Sequence, residues 1–228
     1  MNFLAHHLVC RTRARAAPAS WFAAGVVLPD LRGHVPGARL GGPALAGARA
    51  RSDEERALLA GLVEHARADA AFHGSAAFAT WRRALRPAAE AAGARGSTGT
   101  LLIHVGIEVA LDRRLLLAEP SLADELYREL AAVTPAALAP AVGALLGDDA
   151  RPLAATFARF QERRHLAGWH DPQPAAQALA RVCAALVRDP ARLPLPAAIE
   201  AFLREAEAAL EGSAYTPTAI GDWLATAG

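Results

Sequence analysis

Between residues 101 and 111 the chain carries no ionisable side chain except His104 and Glu108, and this stretch constrains the fold more than any other. The flanking Leu102, Ile103, Val105, Ile107, Val109 and Leu111 are all apolar, so the segment reads as a helix that packs into an oily interior. An unpaired carboxylate is too costly to bury. Such a group is hydrogen-bonded, charge-paired or bound to a metal. His104 and Glu108 are spaced i, i+4, with Asp112 one further turn on, so all three share one helix face.

A second stretch repeats the pattern. His65, Asp69 and His73 are spaced i, i+4, i+8 in a segment whose other residues include Leu58, Leu59, Leu62, Val63 and Phe72. Imidazole and carboxylate one turn apart can converge on one cation without bending the backbone. Two such helices face to face would build a metal centre. His6, in an apolar N-terminal segment, and Asp30, at the end of an apolar run, are candidates to join it. Asp112 is followed by Arg113 and Arg114 and reads as their partner on the helix surface, outside the ligand set.

The remaining pattern is helical throughout. Sustained two-residue alternation and β-branched clusters are almost absent, and Ala, Leu, Arg and Glu dominate, all of which favour helix. The expected fold is therefore all-α, a single domain over residues 1–228. A short helix is expected over 2–9. A second, capped by Ser20, carries Trp21, Phe22, Val26, Val27 and Leu28 and ends at Pro29 and Asp30. A Gly- and Pro-rich loop over 31–51 follows, of the length that often covers a site. Ser52 with Glu55 forms a capping box that starts the first ligand helix, and Gly74 and Ser75 end it. A helix with Phe78, Trp81 and Leu85 runs to Arg86 and Pro87, a glycine-punctuated turn spans 93–99, and the second ligand helix runs to about Ala118. Glu119, Pro120 and Ser121 close it and cap the next. Thr134 and Pro135 start another that ends near Gly147. A long helix over 149–168, helices near 174–188 and 195–210, and a short piece at 217–226 complete the expectation.

Composition excludes more than it identifies. The net charge is +1, all 24 basic residues are arginine, and no basic run goes beyond Arg11, Arg13 and Arg15, so charge does not favour a nucleic-acid partner. No run of about twenty apolar residues is present, so no membrane span is expected. The N-terminus lacks the basic flank of a secretory signal, and Cys10 and Cys183 read as buried thiols in a reducing compartment. The expected location is cytoplasmic. Glycine-rich phosphate loops, nucleophile elbows and dinucleotide fingerprints do not occur. His165, His170 and Asp171 lie near Arg163 and Arg164, which together can read a phosphate, although a solvated helix end accounts for them as well.

The opening Met1, Asn2, Phe3, Leu4, Ala5, His6 resembles the start of acyl carrier protein phosphodiesterases, hydrolases that remove phosphopantetheine from the carrier protein. Residues 25–33, a Gly, an apolar run, Asp30, then Arg32 and Gly33, resemble that family's second motif. His65, Arg67 and Asp69 look like its His-x-Arg-x-Asp helix, and His104 with Glu108 falls where it carries an acid pair. The likeness covers residues 1–112. It implies an all-helical bundle similar to HD-domain phosphohydrolases and a divalent cation, typically manganese. The chain departs from the family at His73, where the family usually has Asp, and at His104 and Glu108, where it has two Asp. More imidazole shifts the preference toward zinc, iron or similar ions. The order of His and acid residues also resembles zinc-dependent phospholipases C and single-strand nucleases, but that family begins at a processed Trp that this chain lacks.

The expected centre therefore has His6, Asp30, His65, Asp69, His104 and Glu108 holding one or two divalent ions, manganese, zinc or iron. A metal-bound hydroxide would attack a phosphodiester, with Arg67 or Arg32 steadying the developing charge and His73 as a further ligand, a hydrogen-bond partner that orients a ligand, or the general acid. The substrate expected from the resemblance is a phosphopantetheinyl or related phosphodiester, with the acyl carrier protein as partner. The alternatives are a phospholipase- or nuclease-type hydrolase and a non-catalytic helical binding module.

Overall fold

Ser52 starts the helix that carries His65, Asp69 and His73. Its hydroxyl accepts from the Glu55 N–H (3.1 Å), while the Glu55 carboxylate reaches past the cap to the Arg51 N–H (2.6 Å). Asp53, Glu54 and Glu55 place negative charge on the first turn, where the helix dipole favours it. The helix so begun, α4 (Asp53–His73), ends at Gly74, and Ser75 caps its successor through the Phe78 N–H. The computed structural model describes residues 2–11, 19–31, 43–147, 149–187 and 193–211. Among these the chain is a single all-α helical bundle without strands, and one apolar cluster runs through it. No single helix among them is long and apolar enough to cross a membrane.

In chain order the helices are α1 (Phe3–Arg11), α2 (Ala19–Leu31), α3 (Pro43–Ala46), α4, α5 (Ala76–Ala84), α6 (Arg86–Ala91), α7 (Gly96–Ala118), α8 (Leu122–Leu130), α9 (Pro135–Leu146), α10 (Arg151–Arg163), α11 (Pro172–Leu186) and α12 (Pro196–Leu210). The long α7 is buried along most of its length and packs against α1, α11 and α12.

The α2–α4 crossing sets the geometry of the site. A Cβ added at Gly61 would lie 2.2 Å from the Phe22 carbonyl oxygen, and one at Gly25 would lie 2.2 Å from that of Leu58. Only glycine on both helices permits backbones this close. The contacts 25–61, 26–65 and 30–65 advance together, so the two helices run in the same sense past the crossing.

Several boundaries differ from expectation. α1 runs to Arg11, two residues beyond the expected end. α2 continues through Pro29 to Leu31: proline removes one backbone bond, and burial of Val27, Leu28 and Leu31 outweighs the loss. α7 begins at Gly96, inside the expected turn. Ser121 occupies the N-cap position of α8, but its hydroxyl makes no cap bond and donates to Glu125 instead. The single helix expected over 149–168 breaks at Arg164, whose φ of 44° is left-handed, and a 3-10 turn over His165–Gly168 follows. There Leu166 N–H turns to the Tyr127 hydroxyl (3.2 Å) and Arg164 pairs with Asp124 (2.6 Å). Asp171 and Pro172 start a helix rather than end one, Asp171 accepting from the Gln173 N–H (2.9 Å). The stretch 32–42 of the long loop and the piece expected at 217–226 lie outside the described residues.

Candidate metal centre

α4 and α2 build the first half of the centre. At the glycine crossing the Val26 carbonyl accepts from His65 Nδ1–H (2.8 Å), which fixes the ring and turns the Nε2 lone pair outward. Histidines that bind metals are oriented by such a bond. His65 Nε2 lies 3.5 Å from Asp69 Oδ2 and 3.9 Å from Asp30 Oδ1. α1 brings His6, whose ring stacks on His65 at 4.0 Å between centroids and whose Nε2 lies 3.1 Å from Asp69 Oδ1.

α7 and the end of α4 build the second half. His73 Nε2 lies 3.0 Å, and His104 Nε2 3.2 Å, from the same oxygen, Glu108 Oε1. The ligand atoms within each group, His6, His65 and Asp69 in one and His73, His104 and Glu108 in the other, all lie within 4.8 Å of one another. With bonds of about 2.1 Å, neighbouring ligand atoms sit about 3.0 Å apart in an octahedron and about 3.4 Å apart in a tetrahedron. The observed 3.0–3.5 Å separations match those edges.

Electrostatics also calls for positive charge. Burial pushes Asp30 up to about 8, opposed by His65 and reinforced by Asp69 and Glu108. One Asp30 oxygen, Oδ2, is buried without a hydrogen-bond partner among the described residues. Burial and the neighbouring His65 push His6 down to about 3, so its imidazole is neutral, the form that binds metals. Against the pull of burial, hydrogen bonds from His6 and His65 hold Asp69 well below the usual carboxylate range. Bonds from His104 and His73 do the same for Glu108. Burial works against a charge on His65, but Asp30 and Asp69 outweigh it and raise its pKa. The ionised Asp69 and Glu108 carboxylates thus draw positive charge into the site, as a proton or as a cation.

Five of the six expected ligands fall into two groups, with His73 a full member of the second, whereas Asp30 joins neither and lies 3.9 Å from His65. Asp30, His65, Asp69, His73, His104 and Glu108 line one cleft of about 540 Å3, and His6 is buried against Asp69. Arg67 does not line this cleft: its guanidinium grips Glu64 at 3.0 and 2.7 Å, one turn back on α4. Arg32 lies outside the described residues. His165 also lines the cleft, whereas His170 is exposed and bonds to the Ala167 carbonyl (3.0 Å).

Asp112 is not a surface partner of the arginines beside it. It is fully buried and accepts the Leu4 and Ala5 N–H groups at 3.0 and 2.9 Å, capping α1 from another helix. Burial pushes it up to about 7 despite these two bonds. Arg113 pairs instead with Glu207 (2.7 Å), and Arg114 donates to the Leu210 carbonyl (2.9 Å). The clue lay in the spacing, since Asp112 continues the inward face of His104 and Glu108. Missing from the sequence was any sign that an orphan helix start would meet it.

Fold and site define a class: an all-helical protein whose two histidine–carboxylate groups face one cleft. Comparison with family models, curated proteins and solved structures gives no match to this chain.

Proposed function

We propose that the chain is a metal-dependent phosphodiester hydrolase, with an HD-domain-like bundle and a phosphopantetheinyl carrier protein as the substrate its N-terminal motifs resemble. The supporting observation is that Asp30, His65, Asp69, His73, His104 and Glu108 from α2, α4 and α7 line one cleft, with His6 of α1 buried against Asp69. Each group would hold one divalent cation, which when bound lowers the pKa of water toward neutrality and polarises a phosphoryl oxygen. Val26 orients His65, and Asp69 stays ionised between His65 and His6. Glu108 presents one oxygen to both His73 and His104. Asp30 holds a proton near neutral pH in the cation-free chain and gives it up when a cation arrives. No arginine is among the described residues lining the cleft, so cations and imidazoles would meet the phosphate charge there.

Elemental analysis of the purified protein, with turnover of bis-p-nitrophenyl phosphate in added manganese or zinc, tests the reading. The expected result is stoichiometric metal and a rate that falls at least ~100-fold in His65→Ala and Asp69→Ala while both variants keep their helical content. Release of apo-carrier from holo-carrier then tests the substrate. A protein that binds no metal and shows no metal-stimulated turnover overturns the proposal and leaves a helical binding module.

A further inference from the structure

The cleft has a second wall that the metal-binding groups leave unused. On α7, Leu101, Val105 and Val109 succeed one another a turn apart, beside the stripe that carries His104 and Glu108. On α11, Ala178, Val182 and Leu186 do the same, and all six line the cavity. Exposure falls along α7 from the half-buried Leu101 to the buried Val109. It rises along α11 from the buried Ala178 to Leu186, which is 47% exposed. The two stripes form a trough with a buried floor at Val109 and Ala178 and an open rim at Leu101 and Leu186. Eight residues of helix separate Leu101 from Val109, about 12 Å of apolar wall. This wall and the imidazole–carboxylate groups belong to one cavity of about 540 Å3, which calls for a ligand with an anionic head and an aliphatic tail.

We propose that the trough seats an alkyl or acyl chain, so that the substrate class is a phosphate ester with one aliphatic arm. This inference rests on the phosphohydrolase reading for the head group alone. The trough positions the chain along α7 while the head meets His73, His104 and Glu108. Each methylene that leaves water contributes ~0.8 kcal/mol, about fourfold in affinity when fully buried. A half-open trough is therefore expected to give about two- to fourfold per methylene.

Calorimetric titration with methyl-, butyl- and octylphosphonate tests this, on manganese-loaded protein and again after chelator treatment. The expected result is affinity that climbs steadily from methyl to octyl. The octyl-to-methyl ratio should collapse in Val182→Asp and also in Leu186→Asp, whose rim position spares the fold. Equal affinity for all three phosphonates overturns the trough, as does a ratio that survives both substitutions. So does light scattering showing that the trough is closed by a second copy of the chain. Absolute affinities that are unchanged by manganese, with the chain-length dependence intact, leave the trough standing and remove the metal reading, so the two fail separately.

Discussion

Gly61→Ala tests the α2–α4 crossing and the centre together, because two effects of opposite sign meet there. In a helix interior, alanine is favoured over glycine by about 1 kcal/mol, so a loose contact would make the variant more stable. The new Cβ, however, would sit 2.2 Å from the Phe22 carbonyl oxygen and 2.9 Å from the Val26 nitrogen. Both are backbone atoms that no rotamer change can move. The helices must part by about 1 Å, and overpacking of this kind costs ~3 kcal/mol at the upper end of its usual range. The net loss is about 2 kcal/mol, a drop of roughly 4–8 °C in the thermal midpoint for a chain of this length. The same movement lengthens the 2.8 Å bond from His65 to the Val26 carbonyl beyond hydrogen-bonding range. Losing the group that orients a metal-binding histidine costs about 10–100-fold in metal affinity, although Gly61 touches no ligand atom. Gly25→Ala demands the same separation, so the double variant should lose much less than the sum of the two. Circular dichroism melts and metal titration read all three variants. A Gly61→Ala protein that melts higher than wild type and binds metal unchanged would refute the close crossing and its role in aiming His65.

Three further outcomes follow from the site. Glu108→Gln removes the acid that serves both His73 and His104, and His65→Ala removes the anchored imidazole of the other group, so each should lower the metal content from about two equivalents to one, read by elemental analysis. Chelation should lower the thermal midpoint by roughly 5–10 °C, since a cation at about 100 times its Kd stabilises by ~2.7 kcal/mol; an unchanged melt counts against binding. Asp112 is an acid raised in the fold from 3.8 to about 7, so the folded chain holds its proton more tightly than the unfolded chain. The associated stability is complete below about pH 4 and drains away as pH rises to about 7, on the order of 4 kcal/mol in all. Asp112→Asn should flatten this decline in urea melts at pH 5 and 8, and parallel curves for variant and wild type would refute the assignment.

The helical class was legible because composition and apolar spacing agree along the chain, and the ligand face of α4 because Ser52, Gly74 and Ser75 punctuate it. The i, i+4 pairs disclosed which side chains share a face. They did not disclose that His73 and His104 meet on one oxygen, since that depends on how α4 and α7 pack. Arg67 looked suited to a phosphate from its place between His65 and Asp69. One turn away, Glu64 offers it a bidentate carboxylate, a local competitor that weighs more than motif position. Asp112 was misread for the converse reason. The adjacent arginines suggested local pairing, whereas its partners are backbone amides more than a hundred residues away. Arg164 shows the same limit, because its left-handed turn answers to Asp124 and Tyr127 on α8, not to any breaker in its own segment.

The cap that Asp112 provides has a consequence for how the molecule comes into being. Until α7 has been made and docked, the amides of Leu4 and Ala5 lack this acceptor, and α1, which carries His6, lacks the cap that pins its first turn. The first histidine translated therefore waits for Asp112, by which point every ligand-type side chain of the centre has been made.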